Sequence, residues 1–170
     1  MFLTCFPNEY RNLFDTLNAF SISKQEIKKG GGGKTGIAQK FDSSLRAFGW
    51  EEKSFDVTTS VGGKTTQSST HKIDHFKNRV GIELEWNNKD TFFDRDLNNF
   101  RLLHSCNVLS VGVIVTRCSE LQGVFKKLDE GGKYGASTTH LGKLIPKIRS
   151  GAAGTCPLLI VGIKKECCTL

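Results

Sequence analysis

The chain has 170 residues, 38% of them hydrophobic and 24% charged, and 24 Lys and Arg against 17 Asp and Glu give it a net charge of +7. That length supports one domain with a proper core and excludes two comfortable ones, and the composition is that of an ordinary soluble globular protein. No apolar run reaches the roughly 18 residues that cross a bilayer, and residues 1–7 carry neither the basic region nor the apolar stretch of a signal peptide, so a cytoplasmic protein in a reducing compartment is expected.

Tyr10, Leu13, Phe14, Leu17 and Phe20 recur at three- and four-residue spacing and predict an amphipathic helix over residues 8–20. A basic, glycine-rich stretch follows, with Lys24, Lys28, Lys29, four glycines at 30–33 and Lys34-Thr35-Gly36. Ile37, Phe41, Leu45 and Phe48 predict a second helix that stops at Gly49. Residues 54–58 form a short strand candidate, and the composition of 62–69 (Gly-Gly-Lys-Thr-Thr-Gln-Ser-Ser) predicts a loop.

Residues 79–86 alternate, with Val80, Ile82, Leu84 and Trp86 on one face and Arg79, Gly81, Glu83 and Glu85 on the other. That period of two predicts a strand with an apolar back and an acidic front. A helix over 91–105 turns Phe93, Leu97, Phe100, Leu102 and Leu103 inward. Residues 108–116 are nearly all apolar and rich in β-branched side chains, as in a strand covered on both faces. Ser119-Glu120-Leu121-Gln122 reads as a capping box that opens a helix to about 128. A glycine-rich loop over 129–135 leads to a helix over 138–149, and 157–163 is another buried strand. Strands alternating with helices predict an α/β fold, a central mixed β-sheet flanked by helices.

The six cysteines form no C-x-x-C, and His71, His75, His104 and His140 complete no zinc ligand set. Cys106, Cys118 and Cys156 read as small buried hydrophobes, Cys167-Cys168 as a frayed tail, and all six as free thiols. His71 and His75 read as phosphate neighbours or surface residues.

Asp74 precedes Glu83 by nine residues, and Glu83-Leu84-Glu85 places two carboxylates on one strand face. An E-x-E pair on a strand is ordinarily solvated charge. Here the other face is strongly apolar, so the strand is expected to be central, where neighbouring like charges are costly without a cation. Oxygen-only ligands in this number suit Mg²⁺, which takes one or two carboxylates together with substrate phosphate. The positive surplus elsewhere suits a polyanion, although charge alone is equally compatible with a role in solubility. The chemistry expected is attack of a metal-activated water on phosphorus.

The run from Ile73 to Asn88, with Asp74, Glu83 and Glu85 in this spacing, resembles the core of the PD-(D/E)XK nucleases. It is most similar to the BglII and BstYI group of type II restriction endonucleases, well over about the last 100 residues and loosely before them. The resemblance implies a restriction-endonuclease fold and a homodimer acting on double-stranded DNA at a short palindrome with a GATC core. It makes Asp74, Glu83 and the backbone carbonyl of Leu84 ligands of one or two Mg²⁺ ions. Glu85 stands where the group has Gln and the wider superfamily Lys, a departure that favours two ions and leaves Glu85 to place a water or the second ion. Asn87 and Asn88 fall where the group reads a base, as an Asn amide can read adenine; a turn-forming Asn-Asn pair is the alternative. Ser137, Thr138, Thr139 and His140 match a second recognition segment, with helix capping as the alternative.

The glycines before Lys34-Thr35 invite a P-loop reading, but position 28 holds Lys28 where that motif needs glycine, and no buried strand precedes it. No nucleotide cofactor is expected. Lys34, Lys28 and Lys29, and Lys64 in the second glycine-rich segment, are expected to meet the DNA backbone. Residues 1–170 are therefore read as one endonuclease domain, with 1–70 a helical and loop-rich DNA-contacting part and 71–170 the catalytic core. A non-specific or repair-type nuclease and an inactive DNA-binding relative are the competing readings.

Overall fold

The computed structural model describes residues 2–29, 35–128, 132 and 134–169. Lys34, the four glycines before it and most of the 129–135 loop lie outside the described residues. Two short helices open the chain, α1 (Phe2–Cys5) and α2 (Pro7–Asn18), followed by β1 (Ile22–Ser23), α3 (Lys24–Lys29) and α4 (Gly36–Ala47). Strands β2 (Glu51–Lys53), β3 (Asp56–Val61), β4 (Lys64–Ser69), β5 (Ile73–Lys77) and β6 (Val80–Glu85) come next. Helix α5 (Phe92–Ser105), β7 (Val111–Arg117), α6 (Ser119–Leu128), α7 (Leu141–Arg149), β8 (Leu158–Ile163), a 3-10 turn (Lys165–Cys167) and β9 (Cys168–Thr169) complete it.

The central sheet has the order β2-β5-β6-β7-β8. Its first two pairings are antiparallel and the β6–β7 and β7–β8 pairings parallel. This is the expected mixed α/β sheet flanked by helices. One face buries Val80, Ile82, Leu84, Trp86, Val113 and Val115 against α2, α3, α4 and α6. The other buries Ile114 against Phe93, Leu97, Phe100 and Leu103 of α5 and Leu144 of α7. Both faces of β6 and β7 are therefore covered, which parallel strands require.

Helix α5 lies very close to the sheet because two strand positions have no side chain. A Cβ at Gly112 would stand 2.5 Å from Phe100 Cδ2, and one at Gly81 2.9 Å from Leu109 Cδ1. Gly112→Ala is expected to destabilise the fold by about 1–3 kcal/mol, the usual cost of overpacking. Urea denaturation checks this, and an unchanged midpoint would mean that α5 has room to retreat.

Several sequence expectations are corrected. Residues 62–69 are not a loop. Gly62 and Gly63, at φ of +56° and +79°, form a two-residue turn joining β3 to β4 over six residue pairs. Positive φ at both positions is the twist that tight hairpins need and glycine accepts freely. The strand candidate at 54–58 gives way to β3, which begins at Asp56, with β2 ending before it at Lys53, and residues 24–29 of the basic stretch form helix α3. Leu102 is exposed, not buried. The strand β8 is a half-buried sheet edge. Cys106 is exposed and Cys118 half-buried, although all six thiols are free. Cys168 is no frayed tail, since β9 pairs in parallel with β1. Ser119 and Gln122 do not cap α6 as a box. Ser119 Oγ accepts from the Gly142 N–H at 3.0 Å, and Gln122 Nε2 donates to the Tyr134 carbonyl at 2.8 Å. No helix among the described residues is long and apolar enough to cross a membrane.

Candidate active site

The regular β5–β6 ladder ends at the His75–Ile82 pair. Beyond it the strands are joined by side chains. The Leu84 N–H donates to Asp74 Oδ2 at 3.1 Å, and the Asp74 N–H donates to Glu83 Oε2 at 3.3 Å. The two acids separated by nine residues are thus brought side by side by one antiparallel turn. Asp74 and Leu84 line a cavity of about 720 Å³, whose wall also includes Asp42, Trp86, Asn87 and Asn88.

The acidic front of β6 does not face solvent. Glu83 and Glu85 are each 1% exposed, covered by α5, and that helix brings a fourth carboxylate, Asp96, which is fully buried. Burial, then the charges of Asp96 and Asp74, hold the Glu83 carboxyl well above its ordinary range. Burial and the neighbouring Asp96 push Glu85 up to about 9. Burial raises Asp96 to about 6, against the pull of Arg95. Of these neighbouring carboxyls Glu85 therefore holds a proton more firmly than Asp96. Arg95 supplies the local cation: its Nε donates to Asp96 Oδ1 at 2.9 Å, and its Nη2 lies 3.6 Å from Glu85 Oε1.

The sequence reading missed Asp96 and Arg95. The signal for Asp96 was present, because it lies three residues after Phe93 and four before Phe100, a core position of α5 occupied by a carboxylate. His75 was expected at the surface or near phosphate. It is buried instead, with Nε2 3.0 Å from Asp42 Oδ1 on α4.

No three Asp, Glu, His or Cys side chains are closed around a common point among the described residues. The donor set nonetheless fits a hard cation. Glu83 Oε1 is buried without a hydrogen-bond partner among the described residues, and Asp74 opens onto the cavity. Mg²⁺ needs only one or two carboxylates and completes its shell from water and phosphate, so a preformed cage is not required.

The two segments matched to base reading lie together beside this cluster. The Thr139 N–H donates to the Asn88 carbonyl and the Asp90 N–H to the Ser137 carbonyl, both at 2.8 Å, and Lys89 bridges Thr138. Lys143 ties the segments again: its Nζ donates to the Ala136 carbonyl, and to Asp90 Oδ2 at 2.6 Å. Asn88 Nδ2 donates to both carboxylate oxygens of Glu85, at 3.1 and 3.3 Å, so the candidate base reader touches the acidic cluster directly. Ser137 is exposed and His140 half-exposed, whereas Thr138 and Thr139 are buried and point inward. The helix α7 begins only at Leu141, and neither Ser137 nor Thr138 caps it. Lys64 is exposed on the hairpin, next to its turn.

Residues 1–163 match the family described as restriction endonuclease BglII/BglIII. No individual curated protein matches the chain.

Proposed function

Because the chain belongs to the BglII/BglIII family of restriction endonucleases, we propose that it is a type II enzyme hydrolysing both strands of DNA at a short palindrome, with a Mg²⁺-dependent centre at Asp74, Glu83 and Glu85. The observation that carries this reading is the crossed pair of bonds that ties Asp74 to Glu83 and to the Leu84 N–H at the open end of β5 and β6. It sets the buried Glu83 against Asp74, which opens onto a cavity, within a chain of net charge +7.

Asp74, Glu83 and the Leu84 carbonyl would hold Mg²⁺, with Glu85 beside them for a second ion or a water. When bound, the ion supplies the charge that activates a water and stabilises the leaving oxygen. The chain's own residues perform the rest. Asp74 is oriented by the Leu84 N–H, Asp96 and Arg95 set the proton on Glu85, and Asn88 links that carboxylate to the base-reading segments. Asn87, Asn88, Ser137 and His140 would meet the bases, a GATC core being the target that the likeness to this group favours. The basic and hairpin part before residue 71 would meet the backbone and the part after it would cut, in a cytoplasmic homodimer whose two-fold symmetry matches the palindrome.

Sequencing the fragment ends after digestion of phage-length DNA in Mg²⁺ tests the reading. Every end should share one palindromic sequence. Ends of random sequence would indicate a nuclease without a site. Lys64→Ala should weaken DNA binding a few-fold regardless of sequence and lower the slope of log affinity against log salt by about one, as loss of one phosphate contact does. A salt titration of DNA affinity measures it, and an unchanged slope would remove the hairpin from the DNA.

A further inference from the structure

Arg117, the last residue of β7, is a fully buried cation with no carboxylate partner among the described residues. Its guanidinium carbon lies 5.0 Å from the Phe125 ring centre and 5.4 Å from that of Tyr134. Its Nε and Nη1 have no hydrogen-bond acceptor among the described residues. Its hydrogen bonds to the described residues all come from Nη2, which donates at 3.0 Å to Thr138 Oγ1 and at 2.8 Å to the Thr139 carbonyl. An unpaired buried cation is costly, and a well-packed apolar side chain of similar volume would suit this core better. Burial lowers the guanidinium to about 10, still charged at neutral pH.

What the cation holds is the recognition segment. Thr139 takes the Arg117 bond on its carbonyl and gives its own N–H to Asn88, whose amide reaches Glu85. Thr138 forms the bridge to Lys89. Gln122 adds a second support from below, at 2.8 Å to the Tyr134 carbonyl. A charged donor fixes a carbonyl more firmly than a neutral one.

Resting on the reading above, we propose that Arg117 is a positioning residue for base discrimination. Through Thr138 and Thr139 it sets the 135–140 segment against residues 87–90, and so sets how strictly a correct site must fit before the carboxylates can act. The residue touches no DNA itself. Loosening its hold should let wrong sites be accepted, because a mobile segment tolerates mismatched bases that a fixed one excludes.

The test compares kcat/KM on a short duplex carrying the wild-type site, as read from fragment ends, with each of its single-base variants. Arg117→Met is expected to lower the preference for the correct site at least tenfold, the loss concentrated at particular base positions. Arg117→Lys should recover part of it, since an ammonium can still reach one of the two oxygens. Thr138→Val removes one acceptor and leaves the cation in place, so it should shift the preference the same way by a smaller factor, even if Arg117→Met fails to fold. Folded variants slower on every duplex by the same factor would overturn the proposal and leave Arg117 a purely structural residue. A wild type whose fragment ends share no sequence would overturn the parent reading, and this one with it.

Discussion

Asp74→Asn and Glu83→Gln are each expected to lower single-turnover DNA cleavage by about a thousandfold or more while leaving the protein folded. A metal ion contributes several kcal/mol of transition-state stabilisation in phosphoryl chemistry, and each 1.36 kcal/mol is a factor of ten in rate. Losing about 4 kcal/mol therefore corresponds to three orders of magnitude. Both amides keep an oxygen for the bonds from the Leu84 and Asp74 N–H groups. Asp74→Asn should also bind DNA more tightly than wild type in EDTA, because without metal the Asp74 carboxylate on the cavity wall repels the phosphate that must approach it. A variant cutting within tenfold of wild type would place the chemistry elsewhere.

Glu85→Gln should stabilise the metal-free protein by about 2 kcal/mol at pH 8, within the 1–4 kcal/mol seen when buried charges are replaced by neutral groups. For a chain of this size that is a rise in Tm of about 4–8 °C. Glu85 titrates near 9 in the folded protein against an ordinary 4.5. The folded state thus holds the proton more tightly, and stability falls as pH rises between those two values. Glutamine mimics the protonated acid at every pH, with an N–H to give Asp96 and a carbonyl to accept from Asn88. The gain should therefore be near zero at pH 4 and grow steadily toward pH 9. Thermal melts across that range in EDTA measure it. A constant gain would mean that Glu85 is not held protonated, and no gain would remove the strain attributed to the cluster.

The strand β6 was legible because its alternation is clean: Val80, Ile82, Leu84 and Trp86 are buried on the face where they were expected. The nine-residue step from Asp74 also translated directly into two neighbouring strands. The strand β5 itself was not legible, since Ile73–Lys77 is five residues long and three of them are Asp, His and Lys. Asp96 was hidden because an acid in an apolar stripe of a helix reads as an interruption until the covering sheet is known. The β3–β4 hairpin was lost for a different reason. Both its faces are exposed and polar, so no alternation marks it, and its register comes from the Gly62-Gly63 turn. Thr138 and Thr139 showed the opposite error. Hydroxyls beside a predicted helix start were assigned to DNA, whereas both residues are buried and Arg117, at the end of β7, holds the Thr138 hydroxyl and the Thr139 carbonyl.

The most direct test of the central claim, that these carboxylates cut DNA with a divalent ion, is digestion of phage-length DNA run on a gel. Wild type in Mg²⁺ should give discrete bands, and wild type in EDTA or Ca²⁺ and Glu83→Ala in Mg²⁺ should give none. The same bands in EDTA, or from Glu83→Ala, would contradict the assignment of the cutting centre.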